Sequence, residues 1–351
     1  MKPLSLQGHT RALTRVRVNK DGDLLFTSSK DHTPTVWYLE NGERIGTYIG
    51  HTGVIWDIDV SWDTKTLVVV RRPVRQGDPA PSPTHPLVQV WDVETGKVVG
   101  TRRVGTVGRS VSLSYSGNLV AYTTTKVAMN DPMLFVADIR DPSQLHDPEQ
   151  PPEQHNPASL NSVADVRLDV SCNRCVFSHL DDMVTVGGIN GHLFQYDLRN
   201  FTEPAQFCYS HSQQIQDLQM SPDEGLIISA STDKTAQLHD ARTLETLKTY
   251  KHNRPVNSAA ISPTHDYIVL GGGEEAMSVT QTAAASGQFE AKLYHMVYEN
   301  EFAFFKGHFG PINTLAYSPD GRVIVTGSED GFVRIQEMDQ EYFDYSIQTE
   351  Y

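Results

Sequence analysis

Cysteine is nearly missing from this 351-residue chain, which has only Cys172, Cys175 and Cys208. So few, and an odd number, cannot build a disulfide framework, which points to a reducing compartment. Long apolar runs are missing too. No stretch approaches the ~18 residues that would span a bilayer. The opening Met1-Lys-Pro-Leu-Ser-Leu-Gln-Gly8 has no apolar segment of signal-peptide length. A cytoplasmic location without membrane contact is expected, and the sequon at Asn200-Phe-Thr202 reads as loop sequence. Positive charge is short: 29 Lys and Arg face 43 Asp and Glu, a formal net charge of −14. Phosphate backbones repel such a surface unless a basic patch offsets it. The densest basic stretch, Arg71-Arg72-Pro-Val-Arg75, is short. Direct nucleic-acid binding is therefore not expected, whereas a basic or amphipathic protein partner is.

What the chain does have is repetition. A histidine is followed by apolar residues four, seven and nine positions on, and then by a turn. The pattern reads His9, Leu13, Val16, Val18; then His51, Ile55, Ile58, Val60; then His211, Ile215, Leu218, Met220. It returns as His252, Val256, Ala259, Ile261 and as His308, Ile312, Leu315, Tyr317. Two further units lack the histidine: one sets Thr106 before Leu113 and Tyr115, the other Leu168 before Cys172, Cys175 and Phe177. Twenty-two residues after the histidine position stand Asp31, Asn190, Asp233 and Asp330. Six further on, where the repeat usually carries Trp, come Trp37, Tyr196, His239 and Gln336.

Short β-rich runs such as Leu24-Leu-Phe26, Val36-Trp-Tyr38 and Thr47-Tyr-Ile49 alternate with turns, giving about four strands per ~42-residue unit. This is the WD-repeat pattern, and it predicts an all-β, seven-bladed propeller. One blade cannot bury both its faces, but a ring of blades buries each against its neighbours. Leu4-Ser-Leu6 precedes His9 as a fourth strand without a first three, and the last unit, ending in Phe332-Val-Arg-Ile335, lacks a fourth. Pairing the two closes the ring and removes an exposed edge. The expectation is one domain over 1–351, with loop insertions at about 71–86, 141–161 and 271–288 and a tail at 339–351. In the second unit Trp91 falls 40 residues after His51, and in the sixth Tyr294 falls 42 after His252, because of such insertions.

His, Asp and Ser at fixed spacing suggest a hydrolase triad. Here the constellation recurs in several units, whereas an enzyme needs one site in one cleft. The expected role of His9, Asp31, Trp37, His51, Trp91, His211, Asp233, His308 and Asp330 is a structural hydrogen-bond network of the repeat. Cys172-Asn-Arg-Cys175 has zinc-ligand spacing, but no second pair completes a site and both positions are apolar in the register. Gly271-Gly-Gly273 lacks the Lys-Ser/Thr and the strand–helix context of a phosphate loop and reads as a strand exit. No catalytic residue, metal or cofactor is expected.

Several strings go beyond a generic repeat. Near the start stand Met1-Lys-Pro, Gln7-Gly-His9, Gly22-Asp-Leu-Leu-Phe26, Asn41-Gly-Glu-Arg44, Gly46-Thr-Tyr48 and Gly50-His-Thr-Gly53. The last two units carry Arg254-Pro-Val-Asn-Ser-Ala-Ala260, Val269-Leu-Gly-Gly-Gly273, Glu275-Ala-Met277, Phe289-Glu-Ala291 and Lys306-Gly-His-Phe-Gly-Pro-Ile-Asn313. With these the chain resembles, over its whole length, the i subunit of eukaryotic translation initiation factor three. It departs in the loops 71–86 and 141–161 and in the weak third and fourth units.

The resemblance implies a rigid, non-catalytic platform held by a C-terminal helix of subunit b and by subunit g. It would support the small ribosomal subunit's initiation complex, mRNA recruitment and scanning. A signalling adaptor of the same fold, and an enzyme or metabolite sensor using the central channel, remain the rival readings. Because strands in a blade run antiparallel, Asp223, in the first turn of the fifth unit, and Asp240, ending its third strand beside Leu238, should share one face. The resemblance implies a helix docking near blades five and six, and these three residues are the expected dock.

Overall fold

In the first strand of each unit the apolar positions fall four, seven and nine after the histidine, and the odd gap of three cannot belong to a regular strand of period two. A β-bulge explains it, since one extra residue resets the alternation. In the computed structural model all seven first strands carry that irregularity at the same place. It lies between Leu13 and Arg15 in blade one, Ile55 and Asp57 in blade two, and Ile215 and Asp217 in blade five. Blades three, four, six and seven repeat it. The structure describes residues 3–51, 53–71, 87–103, 106–127, 130–140, 163–178, 180–273 and 289–345.

The strands form seven four-stranded antiparallel sheets, each of consecutive strands except the last. In that one, Leu4–Gln7 pairs with Phe332–Glu337, in the register Leu4↔Ile335 to Gln7↔Phe332. The chain's two ends thus close the ring. Each of seven apolar clusters draws on two neighbouring blades. Trp37 and Leu13, for example, pack with Val325 and Ile335, and Ile228 with Val256 and Tyr294. The hydrophobic free energy therefore resides at blade–blade contacts, and no single blade holds a core of its own.

Three expectations need correction. In the third unit the bulge falls at Gly108/Ser110, so Val111 and Leu113 hold the positions assigned to Leu113 and Tyr115. The origin lies two residues before Thr106. A slip of two preserves strand alternation, so periodicity alone cannot detect it. In blade one the fourth strand is Arg44–Thr47, not 47–49. Tyr48 has already left the sheet and packs edge-on against Trp91 of blade two, ring centroids 5.6 Å apart. In blade six Gly271 and Gly272 end the strand Tyr267–Gly272 and are not part of a loop. A Cβ on Gly271 would come within 2.6 Å of Leu315, so glycine lets blade seven approach this closely. The rest of the insertions expected at about 71–86, 141–161 and 271–288, residues 72–86, 141–161 and 274–288, lies outside the described residues.

After the last blade the chain forms a short helix, Gln340–Asp344, where only a tail was expected. Asp339 caps it by accepting the Tyr342 N–H. Tyr342 is 7% exposed and joins the cluster between blades six and seven, so part of the tail belongs to the core.

Candidate functional site: the channel, the blade network and the face of blade five

The bulges determine what faces the axis. Arg15, Asp57, Ser110, Arg174, Asp217 and Ser258 occupy equivalent bulge positions in blades one to six, all buried. Four of them form a closed ring of alternating charge. Arg15 lies 3.4 Å from Asp57 and 2.5 Å from Asp217, and Arg174 lies 3.0 and 3.5 Å from the same two carboxylates. Ser110 donates to Asp57 at 2.7 Å and Ser258 to Asp217. Burial alone would raise both aspartates, but Arg174 and Arg15 together outweigh it and hold both below the usual carboxylate range. One step along the channel, Arg17 pairs with Asp59 at 3.1 Å. The cavity above them, about 380 Å³, is lined from all seven first strands. These charges are paired with one another, across four blades.

The expected blade network is complete in blade one. His9 Nδ1 meets Asp31 at 2.9 Å and its Nε2 meets Thr27 at 2.8 Å, while Trp37 Nε1 donates to Thr27 at 2.9 Å. Asp31 also accepts the N–H groups of Thr10 and Thr33, so it ties the entry loop to the turn. Blade five repeats this with His211, Asp233, Ser229 and His239 in the Trp place. Blade seven has His308, Asp330 and Thr326. Blade two departs. His51 and Trp91 pack 5.2 Å apart, but neither His51 nitrogen nor Trp91 Nε1 has a hydrogen-bond partner among the described residues. Val69 stands where Thr27 supplies the hydroxyl in blade one, so the link cannot form. Blade three meets blade two by other chemistry: the guanidinium of Arg102, on blade two's last strand Val98–Arg103, lies 5.5 Å from the Tyr122 ring, which stacks on Phe135.

Burial pushes His51 and His239 down to about 3, so both stay neutral in the fold. Their folded pKa lies below the unfolded value of ~6.5, so the unfolded chain takes up more protons. Their contribution is full above ~6.5 and is lost as pH falls toward 3. Asp330 acts in the same direction at lower pH. Burial opposes its ionisation, but His308 and the N–H groups of Phe309 and Phe332 prevail and hold it at about 2. Urea unfolding between pH 7 and 4 should therefore show stability falling with acidification, and His51→Phe should flatten the slope. An unchanged slope would put the proton uptake elsewhere. At neutral pH, His9→Ala should cost about 1–3 kcal/mol by orphaning buried partners.

Cys172 and Cys175 lie in the cluster between blades three and four. Burial pushes the Cys175 thiol up to about 12 and the Cys172 thiol higher still, the opposite of what a metal-bound thiolate needs.

On blade five the two aspartates fall on one face. Leu226, just after the Asp223 turn, pairs with Asp240, and Ala241 N–H donates to the Gly225 carbonyl at 2.9 Å. Ser221 donates to Asp223, a turn that recurs as Ser61–Asp63 and Ser318–Asp320. The turn is thus generic, and what sets Asp223 apart is its neighbour, a groove of about 730 Å³ between blades five and six. Pro222, Asp223, Leu226, His265, Tyr298 and Tyr345 are among its lining. The Asp240 carboxylate accepts the N–H groups of Arg242 and Thr243 at 2.8 and 2.9 Å. The equivalent Asp138 and Asp197 likewise accept the N–H groups of Arg140 and Arg199, each at 2.9 Å, and in addition pair with those arginines' side chains, at 2.6 and 2.7 Å. Leu238 does not belong to this face. It is 3% exposed and packs among Ile228, Tyr250 and Val256. It shares Asp240's side of the strand but lies two residues deeper, inside the blade contact.

The family model EIF3I matches residues 1–348. Eukaryotic translation initiation factor 3 subunit I of Brugia malayi is 57% identical over 350 residues, covering 99% of this chain and 100% of the relative. The protein of the same name from Caenorhabditis elegans is 50% identical over 347 residues, 99% of each chain. That from Culex quinquefasciatus is 44% identical over 345 residues, 98% of this chain and 99% of the relative. The chain belongs to the family of subunit I of eukaryotic translation initiation factor 3.

Proposed function

We propose that the chain is a non-catalytic scaffold of translation initiation factor three, acting in the cytoplasm. In this reading it holds subunit g and a C-terminal helix of subunit b, and through them supports assembly on the small ribosomal subunit, mRNA recruitment and scanning. Family membership supports the setting. The observation that carries the docking claim is the face of blade five, with Asp223 and Asp240 on adjacent turns and a groove that Asp223 borders. Carboxylates placed so attract a helix that presents Arg or Lys together with an aromatic residue. Asp240, held below the usual carboxylate range by the N–H groups of Thr243 and Arg242, stays charged there.

A channel enzyme or sensor finds less support, because the channel's charged groups neutralise one another. No helix among the described residues is long and apolar enough to cross a membrane. The test is affinity capture on the tagged chain from a cell extract. Subunits b and g should co-purify in stable amounts. Recovery of signalling proteins without them, or of a bound metabolite alone, would overturn the assignment.

A further inference from the structure

The C-terminal segment does more than end the chain. Tyr342 lies with its ring 5.2 Å from Tyr267 and its hydroxyl 3.3 Å from those of Tyr317 and Ser262. These contacts fasten the helix across blades six and seven. The next exposed aromatic, Tyr345, is fastened twice more. Its carbonyl accepts the Tyr267 hydroxyl at 2.7 Å, and its ring stacks on Phe302 at 4.6 Å and 13°. Even so it remains 40% exposed, and it borders the same groove as Asp223.

We propose that the segment from Gln340 to Tyr345 is a built-in wall of the docking groove, so that the partner helix is held between blade five and this segment. Asp223 and Asp266 are both exposed on the groove, and no Lys or Arg lines it among the described residues. That charge suits a helix with a basic side chain on one flank. Tyr298 and Tyr345, 47% and 40% exposed, offer flat apolar surface to an aromatic or aliphatic residue on the same helix face. A partner of this chemistry needs both walls: the carboxylate sets its register, and the segment 340–345 adds contact area that blade five lacks. The inference rests on the docking site proposed above and assigns that site a second, separable component.

The experiment titrates the C-terminal segment of subunit b against the full chain, Tyr345→Ala, Tyr345→Phe, a truncation after Asp339, and Asp223→Lys. Thermal melting checks the fold of each. Tyr345→Ala should weaken binding roughly tenfold, the scale of a lost aromatic contact, and Tyr345→Phe should bind as the full chain does. The truncation should bind at least as weakly as Tyr345→Ala. If Asp223→Lys loses affinity while Tyr345→Ala keeps it, the segment 340–345 is no wall, although the docking site stands. If the segment fails to bind the unaltered chain, the docking site falls and the inference with it.

Discussion

Asp217→Ala should lower the unfolding free energy by about 3–5 kcal/mol, the cost of leaving buried charge without its partner. Asp217 is 1% exposed, and its carboxylate faces two guanidiniums, Arg15 from blade one and Arg174 from blade four. Both are near-buried, so neither can recover water when the carboxylate goes. Ser258 and Gln219 also lose an acceptor. Arg15→Ala should be similarly harmful, while the double variant should cost less than the sum, because the two charges leave together. Urea unfolding with a double-mutant cycle measures this. Losses below 1 kcal/mol in both single variants would mean that the ring of charges is solvated and does not fasten the blades. The ring also accounts for the side-chain choice at the bulges. Alternating Arg and Asp there link blades one, two, four and five across the axis.

Much of this was legible in the chain. The spacing of four, seven and nine after each histidine already contains the bulge, because only an inserted residue turns period two into a gap of three. The fourth-strand look of Leu4-Ser-Leu6 foretold ring closure, which the pairing with Phe332–Glu337 shows. The network of blades one, five and seven followed from the interval of 22 residues. Other features lay beyond pattern reading. Arg15 and Asp217 stand 202 residues apart, and no local rule pairs them. The signal was there in hindsight: Arg and Asp at the position after a bulge, where a sheet interior would favour apolar residues.

Trp91 looked like a network member because the Trp position is filled, but the missing partner is a hydroxyl, and Val69 gave no warning by itself. Sequence proximity to Asp240 places Leu238 on the surface, but the structure buries it. Depth along a blade depends on distance from the turn, and two residues suffice to bury it. The helix Gln340–Asp344 was missed because five residues carry no helical period. Its aromatic run Tyr342-Phe343-Asp344-Tyr345 was the available clue.

The central claim is that the face of blade five receives a cationic helix. Asp223→Lys and Asp240→Lys reverse charges that stand on adjacent turns and take no part in the apolar core. Each should cost about 2–5 kcal/mol of binding, the range for breaking a desolvated charge pair across an interface. The fold should survive, since exposed turns tolerate such changes. Among the described residues, Asp223 bonds within its own turn, to Ser221. Asp240 accepts two N–H groups there, so Asp240→Asn is the control that keeps an acceptor while removing charge. The most direct measurement is a calorimetric titration of subunit b's C-terminal segment into the intact chain and the two lysine variants, with circular dichroism confirming their fold. The account predicts tight binding to the intact chain and a loss of thirtyfold or more, about 2 kcal/mol, in each variant. Equal affinity for all three folded proteins would contradict it and move the helix to another face of the ring.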